Sequence, residues 1–194
     1  MHGPSGVDSM LDEPDWVRDM FETYLDRCIA HHDMLWDMGY RSDCIYWPDD
    51  MGYKGTTFFS LETYREILKP VQKRAVEWAH NKGIKAHLHS CGNITEFLPD
   101  LAEIGIDALN PLECKAGMDA LQVKKDFPFT IHGGIDAILW DDAELVVAEI
   151  ERLVPKLKQG GRYIFASDHS IPNTVSLDTM RAIVAAVKKY GSYS

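Results

Sequence analysis

Two imidazoles and a thiol alternate within one short segment of this sequence, and together they could bind a metal ion. The segment 85–93 contains His87, His89 and Cys91, and side chains two residues apart in a β-strand lie on the same face. Gly92 marks the end of the predicted strand, and α/β folds place their chemistry at the carboxyl ends of strands. Because imidazole nitrogen and thiolate sulfur are good zinc ligands, His89 and Cys91 predict half of a metal site.

The same residues also have a structural interpretation. His89 would then hydrogen-bond within the fold, and Cys91 would be a small buried side chain. His87 lies one layer deeper on the same face, where we expect a hydrogen-bonded core role or support for the metal ligands. Residue chemistry alone leaves both interpretations of His89 and Cys91 open.

Residues that bind metals or transfer protons also follow the other predicted strands. They are Asp49 and Asp50, Glu113 and Cys114, His132 and Asp136, and Asp168 and His169. A strand in a packed core has no structural need for such residues. Their recurrence therefore predicts one shared rim of strand ends with a site built over it.

Four of these residues are candidates for catalysis rather than metal binding. Asp49 and Asp50 could act in acid–base catalysis or orient ligands, although aspartates after a strand also cap helices. His132 and Asp136 flank two glycines whose small size lets a ligand approach the backbone. We expect His132 and Asp136 either to contact substrate directly or to shape the turn.

The elements that must hold these side chains alternate between strand and helix. Predicted strands begin near residues 43, 85, 107, 129 and 162. Predicted helices span 13–39, 60–81, 94–102, 119–125, 141–158 and 176–190, and residues 1–12 are expected to form an irregular lead-in. Such alternation favours parallel strands joined by helical crossovers in an α/β fold.

The five strand-and-helix units predict a (β/α)8 TIM-barrel type of fold that is incomplete. A closed barrel needs eight strands and typically about 250 residues, whereas five units occupy this chain of 194 residues. We therefore predict a single domain over residues 1–194, an incomplete barrel lacking the amino-terminal strands. The alternatives are closure by another chain, or a sheet that stays open with unpaired edges.

Composition excludes several classes of function. The net charge is −10, with 20 basic against 30 acidic residues, so nucleic acid and anionic membranes are not expected as partners. No apolar run approaches the length of about 20 residues that a membrane span needs, and the first residues lack the features of a signal peptide. The four cysteines are widely spread, which favours free thiols or ligands and a cytoplasmic protein.

Five segments, at 88–94, 108–113, 116–119, 132–136 and 168–172, carry a resemblance to a known family when they are taken in this order. At these segments the sequence resembles the uroporphyrinogen decarboxylase superfamily, and most of all its zinc-dependent, corrinoid-linked methyltransferases. The resemblance covers nearly all of residues 10–194. It corresponds to roughly the carboxyl-terminal half or more of a family member.

The resemblance implies a zinc site and a methyl-transfer reaction. His89 and Cys91 match the His-x-Cys pair of the family, and Glu113 falls where related enzymes have a further ligand, with Cys114 as a neighbouring possibility. Asp168, with His169 beside it, occupies the position of the last-strand cysteine. The implied cofactors are Zn²⁺ and a corrinoid methyl donor carried on a partner protein, and the implied acceptor is a small-molecule thiol.

Two other functions remain possible from the sequence. One is uroporphyrinogen decarboxylase activity, which needs no metal. The arginines and the aspartate that the family uses for it lie in the amino-terminal half of a family member, to which this sequence does not correspond. The other is a non-catalytic barrel fragment that binds a metal or a partner chain. An oligomer or a partner chain could complete the barrel in any of these cases.

Overall fold

The computed structural model describes residues 6–193 and contains a five-stranded parallel sheet. The strands in chain order are β1 (Cys44–Pro48), β2 (Gly52–Tyr53), β3 (Thr56–Thr57), β4 (Lys85–His89), β5 (Ala108–Asn110), β6 (Thr130–His132) and β7 (Tyr163–Ile164). The large sheet has the order β1-β4-β5-β6-β7, and β2 and β3 form a separate antiparallel hairpin. The predicted α/β class is confirmed, because a parallel sheet in chain order is consistent with part of a (β/α)8 barrel.

Helices precede, connect and follow the strands of the large sheet. They are α1 (Gly6–Asp12), α2 (Pro14–Asp37), α3 (Leu61–Thr63), α4 (Lys69–Asn81), α5 (Leu98–Ile104), α6 (Ala120–Asp126), α7 (Ala143–Leu157) and α8 (Leu177–Gly191). A π-helical stretch, Tyr64–Leu68, joins α3 to α4. Side-chain oxygens of Asp119, Asp142 and Ser176 accept the first free N–H groups of α6, α7 and α8, which explains where these helices begin.

The structure differs from the sequence prediction near the amino terminus and after β1. The expected irregular lead-in is wrong for residues 6–12, which form α1, while residues 1–5 lie outside the described residues. The hairpin of β2 and β3 was not predicted, because two-residue strands carry no hydrophobic periodicity to recognise.

Alternation along the strands separates an apolar face from a polar one. Leu88, Leu109 and Ile131 are paired in register and are fully buried on the same face as the helices. His89 is paired with Asn110 on the opposite face, and continuing the register places His132 beside Asn110. Parallel pairing therefore aligns three polar side chains at the carboxyl edge of the sheet.

No helix within residues 6–193 combines the length and the apolar character that crossing a lipid bilayer requires.

A buried carboxylate joins α5 to the π-helical stretch and the first turn of α4. The side chain of Asp100 is only 2% exposed and accepts hydrogen bonds of 3.0 Å from the Arg65 guanidinium, while Lys69 also donates to it. The Arg65 guanidinium, followed by the Lys69 ammonium, holds the pKa of Asp100 below its usual value. A depressed carboxyl pKa contributes stability above the pKa of the unfolded chain and loses it in acid.

We expect Asp100→Asn to lower the free energy of unfolding by about 1–3 kcal/mol at neutral pH, because two cationic donors lose a buried charged acceptor. The difference between wild type and variant should shrink as the pH falls below about 4, the unfolded value for aspartate. Urea denaturation at both pH values measures it. Glu103→Gln is the control, since Glu103 also binds Lys69 but its side chain is 72% exposed. An equal effect of both substitutions would contradict the assignment.

Candidate metal centre

Three side chains of different chemistry converge at the carboxyl end of β4. Ligand atoms of Asp50, His89 and Cys91 all lie within 4.8 Å of one another. Cys91 Sγ is 3.3 Å from His89 Nε2, and His89 Nε2 is 3.6 Å from Asp50 Oδ1. The Asp50 side chain is 56% exposed, so the group opens toward solvent at the rim.

The sulfur–nitrogen and nitrogen–oxygen distances fit a zinc ion. Zinc bonds of about 2.3 Å to sulfur and about 2.0 Å to nitrogen or oxygen, set at tetrahedral angles, separate donor atoms by about 3.3–3.6 Å. Carboxylate oxygen, imidazole nitrogen and thiolate sulfur are each zinc ligands. Three protein ligands leave one position of a tetrahedral ion for another molecule, which is the pattern of catalytic rather than structural zinc sites.

The surroundings of Cys91 keep its thiol protonated in the metal-free chain. Burial raises the pKa of Cys91 to about 11, and the negative charges of Asp50 and Glu113 act in the same direction. A thiol surrounded by acids is a poor nucleophile by itself, because the thiolate is the reactive form. The same acidic surroundings favour a bound cation, so the environment suits metal binding better than direct catalysis by Cys91.

Hydrogen bonds and close backbone packing hold together the loops that carry these ligands. Cys91 N–H donates to Asp50 Oδ1 at 2.9 Å, and Asn93 N–H donates to the carbonyl of Tyr53 in β2 at 2.9 Å. Gly92 has φ +77°, and a Cβ there would lie 2.1 Å from the carbonyl carbon of Gly52. The two loops can approach this closely only because both positions lack a side chain.

Glu113 binds the backbone of the loop that carries Cys91. Its side chain is almost fully buried, and Oε2 accepts a hydrogen bond of 2.7 Å from Gly92 N–H, while Oε1 is 3.4 Å from Lys115 Nζ. Glu113 is not part of the group of ligand atoms around Cys91 in the described chain. In this structure, Glu113 orders the peptide that follows the predicted metal ligand.

Asp168 joins two other strand-end loops. Its side chain is buried, and its two oxygens accept hydrogen bonds of 2.7 Å from the backbone N–H groups of Cys114 and Ala137. His169 is exposed beside it. Burial raises the pKa of Cys114 to about 12, and the nearby Asp168 charge adds to the shift. Within residues 6–193 the structure does not bring Asp168, His169 or Cys114 into the group of ligand atoms around Cys91.

The four predicted catalytic residues lie in different places. Asp50 belongs to the group of three ligands, whereas Asp49 turns to the helix side, where it accepts from Trp47 Nε1 and Gln72 Nε2 at 3.0 Å. There Asp49 faces an apolar cavity of about 360 Å³ between α2, β1 and α4, and burial raises its pKa.

The other two predicted catalytic residues, Asp136 and His132, lie further along the rim. Asp136 Oδ1 caps the short helix Ala137–Asp141 by accepting from Ile138 N–H at 2.9 Å. His132 lies on the same polar face of the sheet as Asn110, beside which the register places it. Its Nδ1 lies 3.3 Å from His87 Nε2, and burial lowers the pKa of both imidazoles, that of His87 to about 4.

One residue at the centre of this region was not singled out from the sequence. Asn110 ends β5 and contacts the side chain of His89, with 2.6 Å between Asn110 Oδ1 and His89 Nδ1. A polar residue at a strand end is a weak signal by itself. The contact follows from the register between β4 and β5, which pairs these two residues.

Comparison with known proteins agrees with this fold. The model of the family described as uroporphyrinogen decarboxylase (URO-D) matches residues 6–190. The chain belongs to the uroporphyrinogen decarboxylase family. This confirms the superfamily resemblance that was read from the motifs, and the match covers the whole sheet together with the group of three ligands.

A solved structure shares the architecture of this family member. A methyltransferase from Methanosarcina mazei is similar with a TM-score of 0.71 and 20% sequence identity, over 96% of this chain and 53% of that chain. The chain therefore spans about half the length of that methyltransferase, and at this identity the likeness concerns the fold. Among curated proteins, none matches the sequence.

We expect Gly92→Ala to destabilise the loop and to weaken metal binding, because its Cβ would collide with the Gly52 backbone. Gly39→Ala is the matched control: Gly39 has φ +92° and no atom within 4 Å of a Cβ, so only the cost of a left-handed alanine, about 1–2 kcal/mol, should appear. Thermal unfolding and zinc titration of both variants test this. Equal losses of stability would show that close backbone packing is not what makes Gly92 necessary.

Proposed function

We propose that this domain carries a zinc-dependent methyltransferase centre, with Asp50, His89 and Cys91 as the protein ligands. The observation that supports the proposal is the convergence of an oxygen, a nitrogen and a sulfur donor at zinc spacing. These donors lie on the rim where barrel enzymes place their chemistry, in a chain of the uroporphyrinogen decarboxylase family.

A bound zinc ion would supply a Lewis acid that keeps a coordinated thiol deprotonated near neutral pH while leaving its sulfur nucleophilic. The protein's part is to hold the donors and leave room for that thiol. The open side of Asp50 gives a small thiol access to the site. The neutral imidazoles of His87 and His132, whose pKa values burial lowers, add no positive charge that would repel a cation at the rim.

The proposed reaction transfers a methyl group from a corrinoid, carried on a partner protein, to a small thiol. In this reaction the corrinoid would supply the methyl group: the thiolate sulfur would attack the methyl carbon while the cobalt–carbon bond breaks, and the electron pair of that bond would stay with the corrinoid. Strands β1 and β7 are the two edges of the described sheet. We propose that further strands close the barrel there, from the rest of a longer chain or from a partner chain, and complete the binding surface for the corrinoid.

Zinc titration of single variants tests the ligand assignment. We expect Asp50→Asn, His89→Ala and Cys91→Ser each to weaken zinc binding more than the roughly 10–100-fold that losing a residue behind a ligand costs. Asp136→Asn is the matched control, because Asp136 is another aspartate of a strand-end loop and caps a helix instead. Competition with a chromophoric chelator gives the affinities. An Asp50→Asn variant that binds zinc like Asp136→Asn would contradict the assignment of Asp50.

A methyl-transfer assay tests the reaction. Zinc-loaded protein should speed the demethylation of free methylcobalamin by a small alkanethiol, followed by the change in corrinoid absorbance, and Cys91→Ser should abolish the effect. The assay uses the longest natural form of the chain, because the proposed binding surface for the corrinoid needs the complete barrel. Zinc-independent turnover of uroporphyrinogen by the same preparation would instead support the decarboxylase alternative.

A further inference from the structure

We propose that Asn110 is a positioning residue that fixes the tautomer of His89 and aims the His89 Nε2 lone pair at the group of three ligands. The tautomer of His89 is a property of the metal-free chain alone, whereas the effect of Asn110 on metal affinity rests on the proposed function. Asn110 was not among the predicted site residues. Three hydrogen bonds of its side chain indicate its role.

The orientation of the Asn110 amide follows from its partners. Its Nδ2 donates to the backbone carbonyl of His132 at 3.0 Å, and a carbonyl can only accept. Its Oδ1 must therefore be the atom that faces Tyr46 and His89, and Tyr46 O–H donates to it at 3.2 Å. A flipped amide would place two acceptor oxygens against each other at the His132 carbonyl, whereas the Tyr46 hydroxyl can pair with either end of the amide.

This orientation decides which nitrogen of His89 carries the proton. His89 Nδ1 lies 2.6 Å from Asn110 Oδ1, and an amide oxygen cannot donate, so Nδ1 must be the protonated nitrogen of the neutral ring. Nε2 then has a free lone pair and lies 3.3 Å from Cys91 Sγ and 3.6 Å from Asp50 Oδ1. Metal-binding imidazoles need this arrangement, with the other ring nitrogen donating to an acceptor.

The sheet holds Asn110 at the required position. Parallel pairing of β4 and β5 sets Asn110 directly beside His89, and Ser90 N–H donates to the Asn110 backbone carbonyl at 2.8 Å. The acceptor is thus built into the strand register rather than carried by a loop. The imidazole is oriented before any metal arrives, which lowers the entropic cost of binding.

Nitrogen-15 NMR of the metal-free chain tests the tautomer, in mildly alkaline solution where an ordinary imidazole is neutral. We expect His89 in the wild type to carry its proton on Nδ1. Asn110→Leu, which removes the acceptor, should shift His89 toward the Nε2–H form. Asn110→Asp, which keeps an acceptor, should restore the Nδ1–H form. A wild-type His89 protonated on Nε2 would overturn the proposal even if every variant failed to fold.

Cobalt(II) titration, read from its visible ligand-field spectrum, tests the consequence for metal binding. Asn110→Leu should weaken Co²⁺ binding about 10–100-fold, and Asn110→Asp should recover most of the affinity. If the tautomer shifts as expected but neither wild type nor variants bind the ion, the proposed function fails while the positioning role stands. If Asn110→Leu keeps both the Nδ1–H tautomer and the wild-type affinity, Asn110 has no positioning role.

Discussion

The parallel pairing of β4 with β1 and β5 is the constraint on which the rest of the candidate site depends. Because the register pairs Pro48 with His89 and His89 with Asn110, the loops after all three strands begin at one level of the sheet. The loop after β1 then brings Asp50 over Cys91, and β5 supplies the acceptor behind His89. A slip of one residue would turn His89 to the apolar face and dismantle the site.

Acidic residues at the strand ends differ in what their oxygens bind. Asp168 and Glu113 are buried and accept backbone N–H groups of neighbouring loops, so they satisfy donors that would otherwise be costly to bury. Asp50 also accepts one backbone N–H, but its side chain is more than half exposed. Only such an open carboxylate can take part in binding a metal ion without first breaking the packing of the rim.

Membership of the uroporphyrinogen decarboxylase family and the likeness to a methyltransferase twice as long place these loops in a barrel architecture. Five of its strands are described here, and both edges of the sheet, β1 and β7, lack a neighbour among the described residues. Unpaired edges of a parallel sheet are normally covered or continued. The local centre at Cys91 needs only β1, β4 and β5, whereas the surface for a large donor needs the remaining wall.

The sequence by itself determined the α/β class, the alternation of five strands with helices and the residue types at each strand end, because periodicity, helix caps and glycine stops are local signals. It also pointed to His89 and Cys91, since their spacing predicts one face of a strand, although β4 ends at His89 and Cys91 lies in the loop just beyond it. Only the tertiary structure decided that Asp50 joins them, that Asp49 turns away, and that Asn110 orients the imidazole. The physical reason is that these contacts cross between strands and loops, so they depend on register and on the close approach of two glycines, neither of which leaves a local pattern in the chain.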